Sequence, residues 1–459
     1  MKNILLYILL LAAVMSYGQG LLQEEKIVPP KRTTPYKAKP APPSAQAAEK
    51  ARIAKMEKEL QEADAAFEKE EYEKAYIIYT KYENNLDGEQ YYRLGWMYAT
   101  ANATDKNFEK ARIYFEKGAN LNNADAMNGL GSIYRIGGNG VTQNYEKALF
   151  WYKKAIDNGS AKAMNNLGWM YNEGLGVTQD YKQAFYWYKK AAEARNSYGM
   201  NNLAIRYYNG EGTSKNLEQA FFWFKKSAEA GNDWGMNNLA FRYYNGEGTT
   251  KDYNQAFYWF KRAAEAGNSD SMNNLATRYY NGEGTTKDYS QAFYWFKKSA
   301  EAGNDVAMNN LAICYYNGKG TAKDYNQAFY WYKKAAETGN SNGMNDLANR
   351  YYNGEGTTKD YNQAFYWYKK SAEAGNSYGM NGLAISYYNG KGTTKDHNQA
   401  FYWFKKAAEA GNSNSMNNLA NRYYYGEGTT KDLEKAKYWY KKACEAGNQT
   451  GCDNLKNLN

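Results

Sequence analysis

The side chains that most often carry catalysis or bind metals are scarce in this sequence. Among its 459 residues there are one histidine, His397, and three cysteines. A Ser-His-Asp or Cys-His arrangement would have to use His397, and no suggestive nucleophile stands beside it. A zinc site needs clustered ligands, and no His-His or His-Cys cluster occurs. The sequence therefore predicts no catalytic residue, no metal site and no cofactor, and the chain is not expected to be an enzyme.

A short glycine-containing motif, Asn-Gly-Glu-Gly at residues 245–248, recurs along the chain and superficially resembles a phosphate-binding loop. It follows a helical pattern instead of a strand and lacks the Gly-Lys-Ser/Thr of such a loop, so it is interpreted as a turn. Carboxylates such as Glu247 and Asp252 also recur from unit to unit. Glycoside hydrolysis uses one acid pair at one place, so these repeated carboxylates do not indicate it.

The charge pattern argues against nucleic-acid binding. The net charge is +10, and much of the excess lies before residue 60. Farther on the charges are mixed in sign, and the window 251–286 carries as many acidic as basic residues. A nucleic-acid binder needs a concentrated basic face. The lysine pairs of the later helices are each followed closely by glutamate, which favours a solvated helix face.

The N-terminal 18 residues, MKNILLYILLLAAVMSYG, have the pattern of a secretory signal peptide. Lys2 precedes an apolar run, and the small residues Ser16 and Gly18 precede the expected cleavage point. The protein is therefore expected to be exported, to a bacterial periplasm or beyond. Residues 19–46 form a basic segment that contains all six prolines, which predicts a semi-rigid linker. No other long apolar stretch follows, so no membrane-spanning segment is expected after signal removal.

An internal repeat decides the architecture. The segment MNNLAFRYYNGEG begins at Met236, and near-copies recur at a spacing of 36 residues. The near-copies begin at Met200, Met272, Met308, Met344, Met380 and Met416, and looser ones begin at Tyr91, Met127 and Met164. The sequence predicts ten repeats over residues 91–451 and a truncated repeat with a C-terminal cap over 452–459. Residues 47–90 are interpreted as a degenerate helical hairpin that caps the other end.

Each repeat predicts two helices. Its first half carries apolar residues at i, i+3, i+4 and i+7, which is one face of a helix: Met236, Leu239, Ala240 and Tyr243. Its second half carries the same spacing at Ala256, Trp259, Phe260 and Ala263. Asp233 is the expected N-cap of the first helix, and Asp252 with Gln255 resembles a capping box for the second. Since one hairpin cannot bury its apolar face alone, stacked hairpins should form an all-α solenoid.

The pattern LGWMYNEGLGVTQDYKQAFYWYKKAAE, residues 167–193, resembles the Sel-like repeat, a relative of the tetratricopeptide repeat. The resemblance covers about residues 91–452. It implies a right-handed superhelix of tandem 36-residue helix-turn-helix repeats and a role as a scaffold or adaptor that binds other proteins. It does not imply an enzyme.

A second resemblance lies at the C-terminal end, in KKACEAGNQTGCDNL. Cys444 and Cys452 are similar to the cysteine pair of the secreted, cysteine-rich branch of the family, which implies a disulfide between adjacent repeats. That branch has been linked to penicillin binding and weak β-lactam hydrolysis, a further alternative function. However, no Ser-x-x-Lys, Ser-Asp-Asn or Lys-Thr-Gly motif of penicillin-recognising enzymes occurs in the chain.

Differences between repeats indicate where a protein partner would bind. The fifth position after the repeated methionine varies most, and together with its neighbours it is predicted to lie on the concave side. The position two residues before the methionine, in the hinge between repeats, also varies, as at Tyr198 and Trp234. Residues 198–242 are the favoured patch for partner binding. The candidate partner-binding residues are Trp169, Ile205, Arg206, Trp234, Asn238, Phe241, Arg242, Arg278 and Ile313. Trp169, Ile205, Phe241 and Ile313 are expected to be exposed anchors. The alternative is that these side chains only pack against neighbouring repeats.

A row of aromatic residues on the second helices, here called the aromatic row, supports an alternative function. Each member lies about 200° around its helix from the core alanine two residues earlier, and the row is therefore predicted to lie on the convex face of the array. They are Phe150, Tyr186, Phe222, Tyr258, Tyr294, Tyr330, Tyr366, Tyr402 and Tyr438. Aromatic rings stack on sugars, so this row would suit a cell-envelope glycan such as peptidoglycan. The alternative interpretation is tyrosine laid along the surface with its hydroxyl in water.

Overall fold

The computed structural model describes residues 43–458. In that range the regular structure comprises 23 α-helices, one 3₁₀ turn at Glu83–Asn85 and one isolated bridge between Gly138 and Val141. The predicted all-α solenoid class is therefore confirmed. The predicted signal peptide, residues 1–18, and residues 19–42 of the predicted linker lie outside the described range.

The helices form two alternating sets after two leading helices, α1 (Pro43–Glu68) and α2 (Tyr72–Lys81). The first helices of the repeats are α3 Gly88–Thr100, α5 Ala124–Ile136, α7 Ala161–Glu173, α9 Ser197–Asn209, α11 Asp233–Asn245, α13 Ser269–Asn281, α15 Asp305–Asn317, α17 Ser341–Asn353, α19 Ser377–Asn389 and α21 Ser413–Tyr425. The second helices are α4 Phe108–Asn120, α6 Tyr145–Asp157, α8 Tyr181–Glu193, α10 Leu217–Glu229, α12 Tyr253–Glu265, α14 Tyr289–Glu301, α16 Tyr325–Glu337, α18 Tyr361–Glu373, α20 His397–Glu409 and α22 Leu433–Glu445. The last helix, α23, spans Gln449–Lys456.

The chain divides into two compact units, one ending at Glu62 and one beginning at Ala63. The described part of the first unit is the N-terminal portion of α1, whose side chains are mostly exposed. In the second unit, the end of α1 is joined to α2 and α3 by polar contacts. Tyr79 Oη donates to Asp64 at 2.7 Å, and Arg93 pairs with Asp64 and Glu68 at 3.3 and 2.6 Å. The interpretation of residues 47–90 as a cap of the array stays a prediction.

Short polar side chains and glycines set the helix boundaries. Asp252 is the N-cap of α12, because its carboxylate accepts hydrogen bonds from the backbone amides of residues 254 and 255 at 2.9 Å. The predicted capping box with Gln255 is wrong, because the Asp252 backbone amide donates to the Tyr243 carbonyl oxygen at 2.8 Å instead. The predicted cap at Asp233 is wrong by one residue. Asn232 is the N-cap of α11 and accepts from the Gly235 amide at 2.7 Å, whereas Asp233 is the first helical residue. Gly246 ends α11 in the left-handed conformation, with φ of 73°.

The core runs without interruption from repeat to repeat. Ala240 of α11 and Phe260 of α12 are fully buried and form one cluster with Leu275, which belongs to the next repeat. The half-buried Trp259 and Trp295 close this cluster at its edge. Each hairpin therefore buries its apolar face against its neighbours, which is the physical basis of a repeat array.

A disulfide fastens the last helix to the array. Cys444 in α22 and Cys452 in α23 are bonded, and their Cα atoms lie 4.5 Å apart. The disulfide that the resemblance implied is thus confirmed. Cys314, the third cysteine, is a buried free thiol in α15.

Candidate partner-binding surfaces

The first helices of adjacent repeats are linked by a row of side-chain hydrogen bonds, here called the asparagine ladder. In most repeats two asparagines follow the methionine, and Nδ2 of the second donates to Oδ1 of an asparagine in the preceding repeat. The rungs are Asn166 to Asn128, Asn202 to Asn165, Asn238 to Asn201, Asn274 to Asn237, Asn310 to Asn273, Asn418 to Asn381 and Asn454 to Asn417, at 2.8–3.4 Å. Asn238, a predicted partner-binding residue, is therefore already a half-buried member of this ladder.

The predicted partner-binding arginines are buried between repeats, with 7–8% of their surface exposed. The Arg242 guanidinium lies 3.9 Å from the ring centre of Tyr208 in the preceding repeat and pairs with Glu247 at 3.1 Å. Arg278 makes the same two contacts, with Tyr244 and Glu283. A cation held between a ring and a carboxylate stabilises the contact between repeats. Partner binding by these arginines stays a prediction.

Arg206 is placed similarly within the array. Its Nη1 pairs with Glu211 at 2.8 Å and hydrogen-bonds Asn172 of the preceding repeat. Each of the three arginines therefore has a carboxylate partner in its own repeat and a second partner in the preceding repeat, which the pattern of one repeat does not show.

The four predicted apolar anchors are half-buried, so the expectation that they are exposed is wrong. Phe241 packs edge-to-face on Phe260 with ring centres 5.1 Å apart, and the Arg135 guanidinium lies 4.7 Å from the Trp169 ring. Ile205 and Ile313 pack against the core clusters of their own repeats. The second helix covers one side of each residue, because the fifth position after the methionine faces its own hairpin as well as the surface.

The hinge position, two residues before the methionine, is more exposed in some repeats than it is at Trp234. Trp234 is half-buried at the start of α11. At the equivalent position Tyr198 and Tyr378 are 56% and 63% exposed, and Val306 is 45% exposed. The sequence singled out Trp234 because of its residue type, whereas exposure favours the two tyrosines.

The aromatic row is the exposed apolar feature that recurs at one position in nine successive repeats. All nine side chains are 45–53% exposed. Each ring packs edge-to-face on the tryptophan that follows it, with ring centres 5.0–5.3 Å apart. This contact fixes the orientation of the ring and leaves its other side accessible.

A cation accompanies every member of the aromatic row. The basic residue four positions later lies 5.0–6.0 Å from each ring centre. In the α12 repeat, Lys261 pairs with Glu265 at 3.9 Å, whereas Arg262 lies over Tyr258 and its Nη1 donates to the Tyr258 hydroxyl at 3.0 Å. The row therefore presents an aromatic surface flanked by positive charge.

His397 and Cys314, two side chains of a chemically reactive type, are packed against other residues or buried. His397 begins α20 and packs edge-to-face on Tyr388. Burial raises the pKa of the Cys314 thiol to about 12, so this thiol is protonated and a poor nucleophile at neutral pH. Among residues 43–458, no group of three or more His, Cys, Asp or Glu side chains is arranged to hold a metal ion. Nor does any helix in that range have the length and apolar character needed to span a membrane.

Comparison with known proteins places this architecture. The Sel1 repeat model matches ten consecutive segments: residues 91–123, 124–160, 161–196, 197–232, 235–268, 269–304, 305–340, 341–376, 377–412 and 413–448. The crystal structure of c5321, a protective antigen present in uropathogenic Escherichia coli strains and displaying an SLR fold, is 32% identical. That match covers 83% of this chain and 89% of c5321, with a TM-score of 0.52.

A Sel1 repeat protein from Oxalobacter formigenes is 31% identical. It covers 53% of this chain and 96% of its own, with a TM-score of 0.50. The comparison with curated proteins gave no match. Since the repeat model accounts for nearly all of residues 91–448, the chain belongs to the Sel1 repeat family.

Proposed function

We propose that this protein is an exported, non-enzymatic scaffold that binds protein partners along its first helices, on the concave side of the array. Sel1 repeat folds are typical of protein–protein interaction, and Sel1 repeat proteins are generally non-enzymatic scaffolds. The observation that carries the proposal is the asparagine ladder with variable apolar residues beside it. The ladder holds one first helix after another in register, while Ile205, Phe241 and Ile313 change the surface from repeat to repeat.

The chemistry of this face suits an extended peptide. Amide side chains offer both a donor and an acceptor, which match the N–H and C=O groups of a peptide backbone. Half-buried aromatic and aliphatic side chains lose little conformational freedom on binding, because packing already holds one side of each. Residues 198–242 combine the exposed Tyr198 with the half-buried Trp234 and Phe241 over two repeats, so binding is proposed to centre there.

The test is capture of envelope proteins on residues 19–459, followed by calorimetry with the purified partner. Trp234→Ala with Phe241→Ala should weaken binding by at least tenfold, because aromatic anchors dominate interface energies. The matched control changes Val306 and Ile313 to alanine, at the same two positions two repeats later. Equal binding by the two double variants and the parent chain would contradict the proposed site, and circular dichroism checks that each variant is folded.

Export is proposed from the sequence of residues 1–18 alone. The test fuses residues 1–46 to a reporter that is active only outside the bacterial cytoplasm. A fusion with Leu9 and Leu10 changed to arginine serves as the control, because charge in the apolar segment abolishes signal function. Equal reporter activity from both fusions would contradict export through this segment.

The exposure of the aromatic row supports a second candidate function, binding of a cell-envelope glycan. Nine rings at equivalent positions, each fixed by a tryptophan and flanked by a cation, offer one stacking site per repeat. Co-sedimentation with purified peptidoglycan should fall several-fold when Tyr258, Tyr294 and Tyr330 are changed to serine. Sedimentation that is unchanged by these substitutions, or lost equally with Trp234→Ala and Phe241→Ala, would contradict a role for the aromatic row.

A further inference from the structure

One rung of the asparagine ladder has a different chemistry. In α17 the second asparagine of the repeat is replaced by Asp346, and the preceding repeat presents Asn309 at the acceptor position. An ionised carboxylate has no proton to donate, so the hydrogen bond made at the neighbouring rungs is impossible here. The identical positions in other repeats provide an internal comparison for this single change.

The rung at Asp346 is interrupted, because the donor that Asn309 Oδ1 meets at a normal rung is missing. Asn345 Nδ2, on the same helix as Asp346, lies 3.2 Å from Asp346 Oδ1 and donates to it. Asn309 is 7% exposed, and its Oδ1, which would accept in a normal rung, is buried without a hydrogen-bond partner among the described residues. A buried acceptor without a donor destabilises the folded state, because it has lost its hydrogen bond to water.

The charged and titratable groups around Asp346 come from three helices. Arg350 lies one turn along α17, Tyr332 lies on α16 and Tyr368 lies on α18. Arg350 is held by Glu355 at 2.8 Å and by the Tyr316 ring at 4.0 Å, so its charge is already balanced. Burial raises the pKa of Asp346 above its usual range, and the attraction of Arg350 and the Asn345 amide oppose this only in part.

We propose that Asp346 is a proton-controlled joint between the repeats of α15 and α17. The protonated carboxyl donates to Asn309 Oδ1, and this completes the ladder. The ionised carboxylate leaves the rung interrupted and weakens the contact between the two repeats. The inference stands on the ladder geometry and is independent of the proposed function.

The direction of the pH effect follows from linkage. With a native pKa above that of the unfolded chain, the native state binds more protons over the window between the two values. Stability therefore falls as pH rises through the native pKa, and it is highest below the unfolded value near 4. This is opposite to the behaviour of a carboxylate in an ion pair.

The experiment compares full chains carrying Asp346→Asn, which restores the rung, and Asn310→Asp, which interrupts the equivalent rung one repeat earlier. At pH 7.5, Asp346→Asn should raise Tm by about 2 °C and slow hydrogen exchange in α15 and α17, whereas Asn310→Asp should lower Tm by a similar amount. Both differences from the parent chain should shrink as the pH is lowered towards 4, because the aspartates then carry protons. Differences that stay constant from pH 4 to pH 8, or a less stable Asp346→Asn chain at pH 7.5, would overturn the proposal.

Discussion

At the residue scale, the turn glycines differ in what they tolerate. Gly248 has φ of 71°, and a Cβ there would lie 2.1 Å from the carbonyl oxygen of Leu217 in the preceding repeat. Gly231 has φ of 85°, but a Cβ there would meet no atom within 4 Å. The first glycine is thus required by backbone conformation and by close approach, and the second by conformation alone.

Gly248→Ala is therefore expected to destabilise the array by more than about 2 kcal/mol, because backbone of one repeat or the other must move. Gly231→Ala is the matched control and should cost only about 1 kcal/mol, the conformational penalty alone. Urea unfolding of the two variants checks the difference. Equal midpoints for both would show that the turn relaxes freely.

The surroundings of several side chains could not be predicted from the sequence, because they depend on contacts between helices. The heptad-like spacing identified the buried Leu239, Ala240 and Phe260 directly, because a helical period fixes which face is apolar. It assigned Arg242 to an open surface, since the Tyr208 ring that covers this arginine belongs to the preceding repeat. The period of one helix carries no information on contacts with other helices, so the half-buried state of Phe241, which packs on Phe260 of the second helix of its own repeat, was also missed.

At the element scale, two repeats carry their cation in the turn after the first helix instead of in the helix itself. The α11 repeat has Arg242 in the helix and Glu247 in the turn, whereas the α15 repeat has Cys314 and Lys319 at these two positions. The repeat of α19 makes the same exchange, with Ser386 and Lys391. The Lys391 Nζ lies 4.7 Å from the Tyr352 ring centre and donates to its hydroxyl at 2.9 Å. In the α19 repeat Tyr352 therefore keeps a cation, which is supplied from the turn and not from the helix.

This exchange predicts strong coupling between the two positions. Glu247→Lys alone should destabilise by about 2–3 kcal/mol, because it removes the carboxylate from the buried Arg242 and adds a second cation. Arg242→Ser alone should also destabilise, because it leaves Glu247 and Tyr208 without their cation. The double variant reproduces the α19 arrangement and should lie within about 1 kcal/mol of the parent chain. A double-mutant cycle by urea unfolding measures this coupling, and simple additivity would contradict it.

The C-terminal disulfide acts on a single element. It closes a loop between α22 and α23, and the described helices that pack against α23 are α21 and α22. For so short a loop the expected stabilisation is roughly 2–3 kcal/mol, confined to the last helix because repeats communicate through nearest neighbours. Cys444→Ala with Cys452→Ala should therefore speed hydrogen exchange in α23 and leave α9–α13 unchanged. Faster exchange throughout the array would instead indicate a cooperative role.

At the scale of the whole molecule, the same interface recurs between almost every pair of repeats. Leu275 packs in the cluster of α11 and α12 just as Leu311 packs in the cluster of α13 and α14. The sequence predicted this continuity well, because ten copies of one pattern must meet through one kind of surface. The repeated pattern could not predict the exceptional rung at Asp346. That rung differs from the others by one side chain and by the acceptor oxygen opposite it, which has no donor.

Interchangeable interfaces predict that the array tolerates removal of one whole repeat. Deleting residues 269–304 removes α13 and α14, and it brings α12 against α15 through the same types of side chain, with Asn310 now opposite Asn237. The shortened chain should keep its helical content per residue, and its Tm should change by only a few degrees, because stability is a sum of repeat and neighbour terms. Deleting residues 269–286, which removes only α13 and the turn after it, is the control. That deletion sets two second helices side by side and should cause a large loss of helical signal or aggregation. If the whole-repeat deletion fails as badly as the half-repeat one, then the repeats are not interchangeable, and positions 269–304 hold a contact that their neighbours cannot replace.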